Sequence, residues 1–312
     1  MKLSERISSL TGVNIRKDLV MEFGDRHDGA IEFAGLLPDG IIEVGYFYGD
    51  IKPKNILVLS SQIGCPSKCS FCALGNAPFT RNLTANEIYE QAVVMIQQAA
   101  RYGIDIDTNK HKVNIAKSGE PLFNNHLVAG LEKIATLDFS FKVSTVFPFG
   151  KIEHFKDITH FAADYHEPVQ IQVSLISTSE EYRRKAAGIR VASFQEIREA
   201  ADYWFENHPK GRKINLSLIL TGDVPCKAKE VAPLFPPDLF RFRFRNYVPT
   251  GHGKDHDLTT MGQWRYDMLK DSFADEGYEV GDWATPTLIE QRFSLASNVT
   301  RDRYIKMVKG EI

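Results

Sequence analysis

The stretch Asn55–Gly75, NILVLSSQIGCPSKCSFCALG, decides the fold. Asn55–Ser61 is a β-rich apolar run, and Gly64–Gly75 holds three of the chain's four cysteines. A helix start follows. Thr84-Ala85-Asn86-Glu87 has the capping-box pattern, Ile88, Ala92, Ile96 and Ala99 recur at helical spacing, and Gly103 stands where a C′ residue belongs. The cysteine loop therefore joins a strand to a helix. Five more β-rich runs follow, KVNIAKS (112–118), FKVSTVF (141–147), VQIQVSLI (169–176), KINLSLIL (213–220) and LFRFRFRNYV (239–248), most of them separated by helical patterns. Six strands with intervening helices predict an α/β fold whose parallel sheet is buried on both faces. In such folds the loops at the C-terminal strand ends build the active site.

Upstream, LVMEFGDRHDGAIEFAGLLPDGIIEVGYFYGD (19–50) alternates short apolar runs with Asp28-Gly29 and Asp39-Gly40. These pairs predict hairpins and a small antiparallel β cap. The expected organisation is a hairpin cap over residues 1–54 and one barrel domain with a C-terminal extension over 55–312. With 312 residues, 43% hydrophobic and 25% charged, the chain can bury a full enzyme-sized core. The N-terminus MKLSERISSL lacks an apolar signal region, and no run of about eighteen apolar residues occurs, which argues against secretion and membrane spanning. Four cysteines, three of them clustered, make no disulfide framework and suit a reducing cytoplasm. A net charge of −2 gives no bulk attraction for a polyanion, so any nucleic-acid contact must be local.

Cys65, Cys69 and Cys72 form C-x3-C-x2-C. Three thiolates can hold three irons of a [4Fe-4S] cube and leave the fourth open to another molecule. The competing reading, structural zinc, wants four closed ligands, and no second cysteine pair or suitably spaced histidine is near. Phe71 before the third cysteine, with Gly64 and Gly75 at the loop ends, suits a tight wrap around a bulky cluster.

The aromatic-containing cysteine motif after the first barrel strand resembles the signature of the radical S-adenosylmethionine (SAM) superfamily. More narrowly, SSQIGCPSKCSFCALG, FTRNLTANEI, SGEPLFN, STVFP, VSL and NYVPTG, in that order, resemble the RlmN/Cfr family of rRNA adenine methyltransferases over about residues 40 to 300. The resemblance implies a partial (β/α)6 barrel, a [4Fe-4S] cluster on Cys65, Cys69 and Cys72, and SAM chelating the open iron. It also implies an external electron donor of the flavodoxin or ferredoxin type. Phe71 would border the cofactor. Glu120, after Gly119, would accept hydrogen bonds from the SAM amine, against its reading as an ordinary surface glutamate. Ser144 and Ser174 would hold SAM's carboxylate or ribose, or else only satisfy turn backbone. Asn246 matches a nucleoside-contacting asparagine, and Glu43 matches a glutamate near the chemistry or is a solvated strand residue.

The departures from the family pattern bear on the reaction. The family's methyl shuttle uses two further cysteines, whose positions here are Val58 and, by a looser alignment, Ser297. Neither is a thiol, and neither replaces one as a nucleophile near neutral pH. The family histidine after the VSL strand is Ile176. Only 64 residues precede the cluster motif, few for the family's helical RNA-binding domain in addition to a cap.

Three features stand outside the resemblance. Cys226, after the fifth strand, has Lys227 and Lys229 beside it to lower its pKa for catalysis, or is a structural thiol. Arg241, Arg243 and Arg245 alternate onto one strand face. They either grip phosphate or carboxylate groups or, if Asn246 looks into the barrel, point outward as a solvated edge. His252 and His256 read as a metal pair or as a flexible lid. The expected function is hydrogen abstraction from a small molecule or nucleotide by a SAM-derived radical. The alternatives are a divergent RNA methyltransferase and a metal-stabilised binding protein.

Overall fold

The computed structural model describes residues 21–23, 30–49, 54–101, 103–104, 106 and 110–282. The strands are β1 (Met21–Phe23), β2 (Ala30–Leu37), β3 (Gly40–Gly49), β4 (Lys54–Leu59), β5 (Gln62–Ile63), β6 (Arg81–Asn82), β7 (Lys110–Ile115), β8 (Ser140–Thr145), β9 (Val169–Ile176), β10 (Ile214–Leu220), β11 (Phe240–Asn246) and β12 (Val280–Asp282). One sheet runs β1-β2-β3-β4-β7-β8-β9-β10-β11-β12, and β5 and β6 pair as a separate ribbon. From β4 to β12 every neighbour is parallel, whereas β1 to β4 are antiparallel. All six apolar runs form strands. A seventh parallel strand, β12, spans only three residues, too few for period-2 alternation to signal.

The β2–β3 hairpin joins the barrel sheet directly, because β3 pairs with β4. Its turn is Pro38-Asp39 rather than Asp39-Gly40, since Gly40 already pairs with Leu37. The Asp28-Gly29 hairpin expectation lies outside the described residues. Arg81 anchors the turn by bonding both carboxylate oxygens of Asp39 and both of Glu87. Glu87 closes the expected capping box on Ala85–Arg101: its carboxylate accepts from the Thr84 N–H at 2.8 Å, and its own N–H donates to the Thr84 hydroxyl at 3.2 Å. The helix ends as its sequence predicts. Gly103, at φ 72°, donates to Ala100, and Ile104 to Ala99, the paired bonds of a Schellman cap.

The sheet is buried on both faces as expected, but only one face is apolar, because side chains alternate along the strands. On one face Phe141 and Val143, Ile171 and Val173, Leu216 and Leu218, and Phe240, Phe242 and Phe244 are buried core residues. This face packs against helices: Phe242 lies 4.4 Å from Phe273 on the helix Gln263–Asp275 and 4.7 Å from Tyr278, ring centre to ring centre. The opposite, inner face is polar. Parallel register aligns Ser144, Gln172, Asn215 and Arg241 in one row and Ser174, Ser217 and Arg243 in another.

The three arginines therefore look inward, which corrects the outward reading. The Phe–Arg alternation is as expected, but Asn246 follows the phenylalanines and turns to Met261, with which it exchanges two hydrogen bonds. Phe242→Ala should cost about 3–5 kcal/mol of unfolding free energy, the usual range for emptying a buried aromatic site. Thr84→Ala should cost about 1 kcal/mol as a lost cap. Urea denaturation checks both; a loss at Phe242 below 1 kcal/mol would contradict its placement against the helical layer.

Candidate active site

The cysteine loop leaves β4 through a polar clamp. The Ser60 backbone exchanges two hydrogen bonds with the buried Gln91 amide, and Asn124 donates to Ser61 and Leu83 carbonyls. Gln62 bonds Asn82 through its amide nitrogen and accepts from the Glu120 N–H through its oxygen. No periodic signal marks these residues, because each acts through a partner distant in sequence.

Within the loop, Cys72 N–H bonds the Cys69 carbonyl at 3.0 Å, and Gly75 N–H bonds that of Cys72 at 3.0 Å. Gly64, at φ 71°, lies against Pro78, whose carbonyl a Cβ would strike. Gly75 gives room to His252 in the same way. His252 is thus buried under the loop, on the short helix Gly251–Asp255 whose N-cap Thr250 bonds Gly253, and this corrects the expectation of a flexible lid.

All four cysteines are free thiols. Burial, then the neighbouring Cys72 charge, pushes Cys65 up to about 12; burial and both sister thiols push Cys69 well above its ordinary value. Cys72 is also raised by burial, with the Glu43 carboxylate adding to the rise and Arg245 opposing it. Glu120 thus acts electrostatically on Cys65 and Cys69, and Glu43 and Arg245 act on Cys72. Phe71 packs with Cys69 and Cys72 against Val146, Ile176 and Ala187. Among the described residues no three His, Cys, Asp or Glu side chains are arranged to hold a single metal ion.

Glu120 is 3% exposed, which corrects its reading as a surface glutamate. It follows Gly119, held at φ 109° against Ser61 and Gln62. Its carboxylate accepts from Leu122 N–H at 3.1 Å, from Val146 N–H at 2.8 Å and from the Thr145 hydroxyl. Burial nonetheless outweighs these bonds and lifts its pKa to about 7. Three of roughly four lone-pair positions are filled, leaving one for a further donor. Arg183, on the helix Glu180–Ala187, donates to the Val146 and Ala192 carbonyls, and burial lowers it to about 10. Sequence reasoning missed Arg183, which sits in an ordinary charged helical run.

Ser144 and Ser174 lie on the inner face, and the buried Ser144 hydroxyl has no partner. Ile176 is held at φ 70°, rare for a β-branched residue, with Ser177 N–H bonding the Leu175 carbonyl across it. Val58 pairs with Asn114 on the inner face; Ser297 lies outside the described residues. Cys226 stands apart in the main hydrophobic core. The expected depression of its pKa does not occur: burial lifts the thiol to about 12, and Lys227 pairs with Glu230 instead. A groove of about 560 Å³ lined by Asn124, His154, Asp157 and Phe161 lies on the helical layer, away from the cysteines.

No protein-family model matches the chain. The chain is 28% identical over 227 residues to the probable dual-specificity RNA methyltransferase RlmN of Christiangramia forsetii, covering 71% of this chain and 60% of that protein. It is 29% identical over 259 residues to the protein of the same name from Malacoplasma penetrans, covering 79% and 69%. The first of these relatives is thus matched over little more than half its length. Among solved structures, a radical SAM methyltransferase from Sphaerobacter thermophilus superposes with a TM-score of 0.72 at 18% identity, covering 90% of this chain and 80% of that one. Streptococcus suis SuiB bound to S-adenosylmethionine gives 0.52 at 17% identity, covering 77% and 52%. The chain is RlmN-like in sequence and has the partial-barrel fold of radical SAM enzymes.

Thr145→Val removes one donor to the ionised Glu120 and should raise its carboxyl titration above the present value of about 7. Infrared difference spectra of the carboxyl band against pH would show this; a midpoint unchanged or lowered would contradict the hydrogen-bond assignment.

Proposed function

We propose that this chain is a radical SAM enzyme that acts on a small molecule or nucleotide. Cys65, Cys69 and Cys72 hold a [4Fe-4S] cluster, and SAM binds beside it. When bound and reduced by an external flavodoxin- or ferredoxin-type donor, this pair supplies a one-electron cleavage of SAM that yields a 5′-deoxyadenosyl radical. The observation that carries the reading is three free thiols on one loop, Cys65 and Cys69 buried and Cys72 partly so, beside a buried carboxylate with one lone-pair position left. Glu120 receives the SAM amine there. Ser144 and Ser174 offer hydroxyls to its carboxylate or ribose. Asn246 and Glu43 keep the roles the resemblance implies only if the Met261 contact yields and the Cys72 side of the site admits substrate.

A second reading, methylation of RNA, at adenine as the family resemblance implies, is favoured by the relatives, which are probable dual-specificity RNA methyltransferases. Against it stand an apolar Val58 on the inner face and a protonated Cys226 in the core, which leave the two-thiol shuttle without its groups.

Anaerobically prepared protein should carry about four irons and four sulfides, with a reduced-cluster paramagnetic signal that changes when SAM is added. One zinc and no labile sulfide would refute the reading. Because ionised Glu120 is the form that accepts the ammonium, SAM affinity should strengthen as pH rises through about 7. Glu120→Gln should abolish that dependence and weaken SAM binding by about 1.5–3 kcal/mol, with iron content retained. Transfer of the SAM methyl label to an adenine in RNA would move the second reading to first place.

A further inference from the structure

We propose that the inner face of β10 and β11 is an oxyanion site, at which Arg243 and Ser217 bind a carboxylate or phosphate of the substrate. The inference rests on the enzyme reading above and names the class of molecule that enters the barrel. Arg243 and Ser217 are register partners on adjacent strands, and Ser174 is the next residue in the same row. The Ser217 hydroxyl is buried and has no hydrogen-bond partner.

The neighbouring charges are already engaged. Arg241 donates to Asn215 and, at 2.9 Å, to Gln170, and it lies 3.5 Å from Glu279. Asp282, on the other face of β12, is held by Lys270 at 2.6 Å and by the Tyr266 hydroxyl at 2.7 Å. Among the described residues Arg243 has no hydrogen bond and no ion pair within 4 Å; burial and then the like charge of Arg241 lower its pKa, with Glu279 and Asp282 opposing them. Its guanidinium crosses Gly281, the β12 residue in register with it, where a Cβ would collide with Nη1. A half-buried guanidinium beside a second one is costly, and the carboxylates of Glu279 and Asp282 offset that charge through space without bonding it. Its planar fork and one adjacent hydroxyl match the oxygens of a carboxylate or a phosphate.

Arg243 lies two residues before Arg245, whose charge reaches Cys72, so a molecule anchored there lies on the strand that approaches the cysteine loop. The arginine orients the substrate by charge and takes no part in bond breaking.

The test titrates the full-length, cluster-reconstituted protein with inorganic phosphate and, separately, with acetate. Binding is followed by phosphorus or carbon-13 NMR line broadening, and SAM affinity is measured on the same samples. Saturable binding of either ion is expected, and the stronger one identifies the group. Arg243→Gln should weaken it about tenfold or more, the loss expected for one charge-assisted contact, and Ser217→Ala by a smaller factor. If Arg243→Gln does not fold, Arg243→Lys, which keeps the charge and loses the fork, decides the matter together with Ser217→Ala. Absence of saturable binding, or equal binding to the variants, overturns the proposal. Oxyanion binding lost while SAM still binds removes this inference alone; SAM failing to bind the unaltered protein removes the parent reading alone.

Discussion

The arrangement depends on how both backbone polar groups of Val146 are held. Its N–H donates to Glu120 at 2.8 Å, and its carbonyl accepts from Arg183 at 2.7 Å. One residue past the end of β8 is thereby fixed to the β7 loop on one side and to the helix Glu180–Ala187 on the other. That helix in turn carries the cysteine loop: Ser70 N–H bonds the Ala186 carbonyl at 2.9 Å, and the Cys69 thiol reaches the Ala187 carbonyl at 3.5 Å. Gly188, at φ 65°, lets the helix end against the backbone of Lys68. A buried carboxylate and a buried guanidinium are costly singly, and each is tolerated here because backbone groups and the other charge compensate it. Removing Arg183 would leave Glu120 without its nearby cation and the loop without its floor.

Glu120 is nonetheless lifted to a pKa of about 7, because desolvation outweighs its three hydrogen-bond donors and the nearby Arg183 charge, all of which favour the ionised form. An arriving ammonium would fill the last acceptor position and hold the carboxylate ionised. The cysteines respond in the opposite sense. Crowded and buried, they hold their protons, and a metal bound through their sulfurs would have to displace them.

Much of the fold was legible because its signals are local. The capping box at Thr84 and Glu87, the C′ glycine at 103 and the six apolar runs each report on a few adjacent residues, and each appears where the pattern places it. The cysteine spacing was legible for the same reason. Arg183 and Gln91 were not, since their partners lie tens of residues away and their own neighbourhoods read as ordinary helix. The direction of the arginines was misread through one residue. Asn246 has the parity of Phe242 and Phe244, yet at the strand end its amide is drawn to the Met261 backbone, so it says nothing about which face is inward.

That face sets this barrel apart from one built only to be filled. Interiors of small parallel barrels are commonly packed by layers of branched apolar side chains. Here the inward rows are Ser144, Gln172, Asn215, Arg241 and Ser174, Ser217, Arg243, while the branched and aromatic residues face the helices. A polar interior contributes little hydrophobic stabilisation and exacts a desolvation cost for every unpaired group, so the sheet must be held by its outer layer. The aromatic stack of Phe242, Phe244, Phe273 and Tyr278 and the fully buried Trp204 supply that hold. Division of labour between the two faces follows: the outer one stabilises, and the inner one is left free to be specified by what binds. Substitutions on the phenylalanine parity of β11 therefore act on folding, whereas the arginine parity is mixed, with Arg241 tied into the polar rows by Asn215 and Gln170.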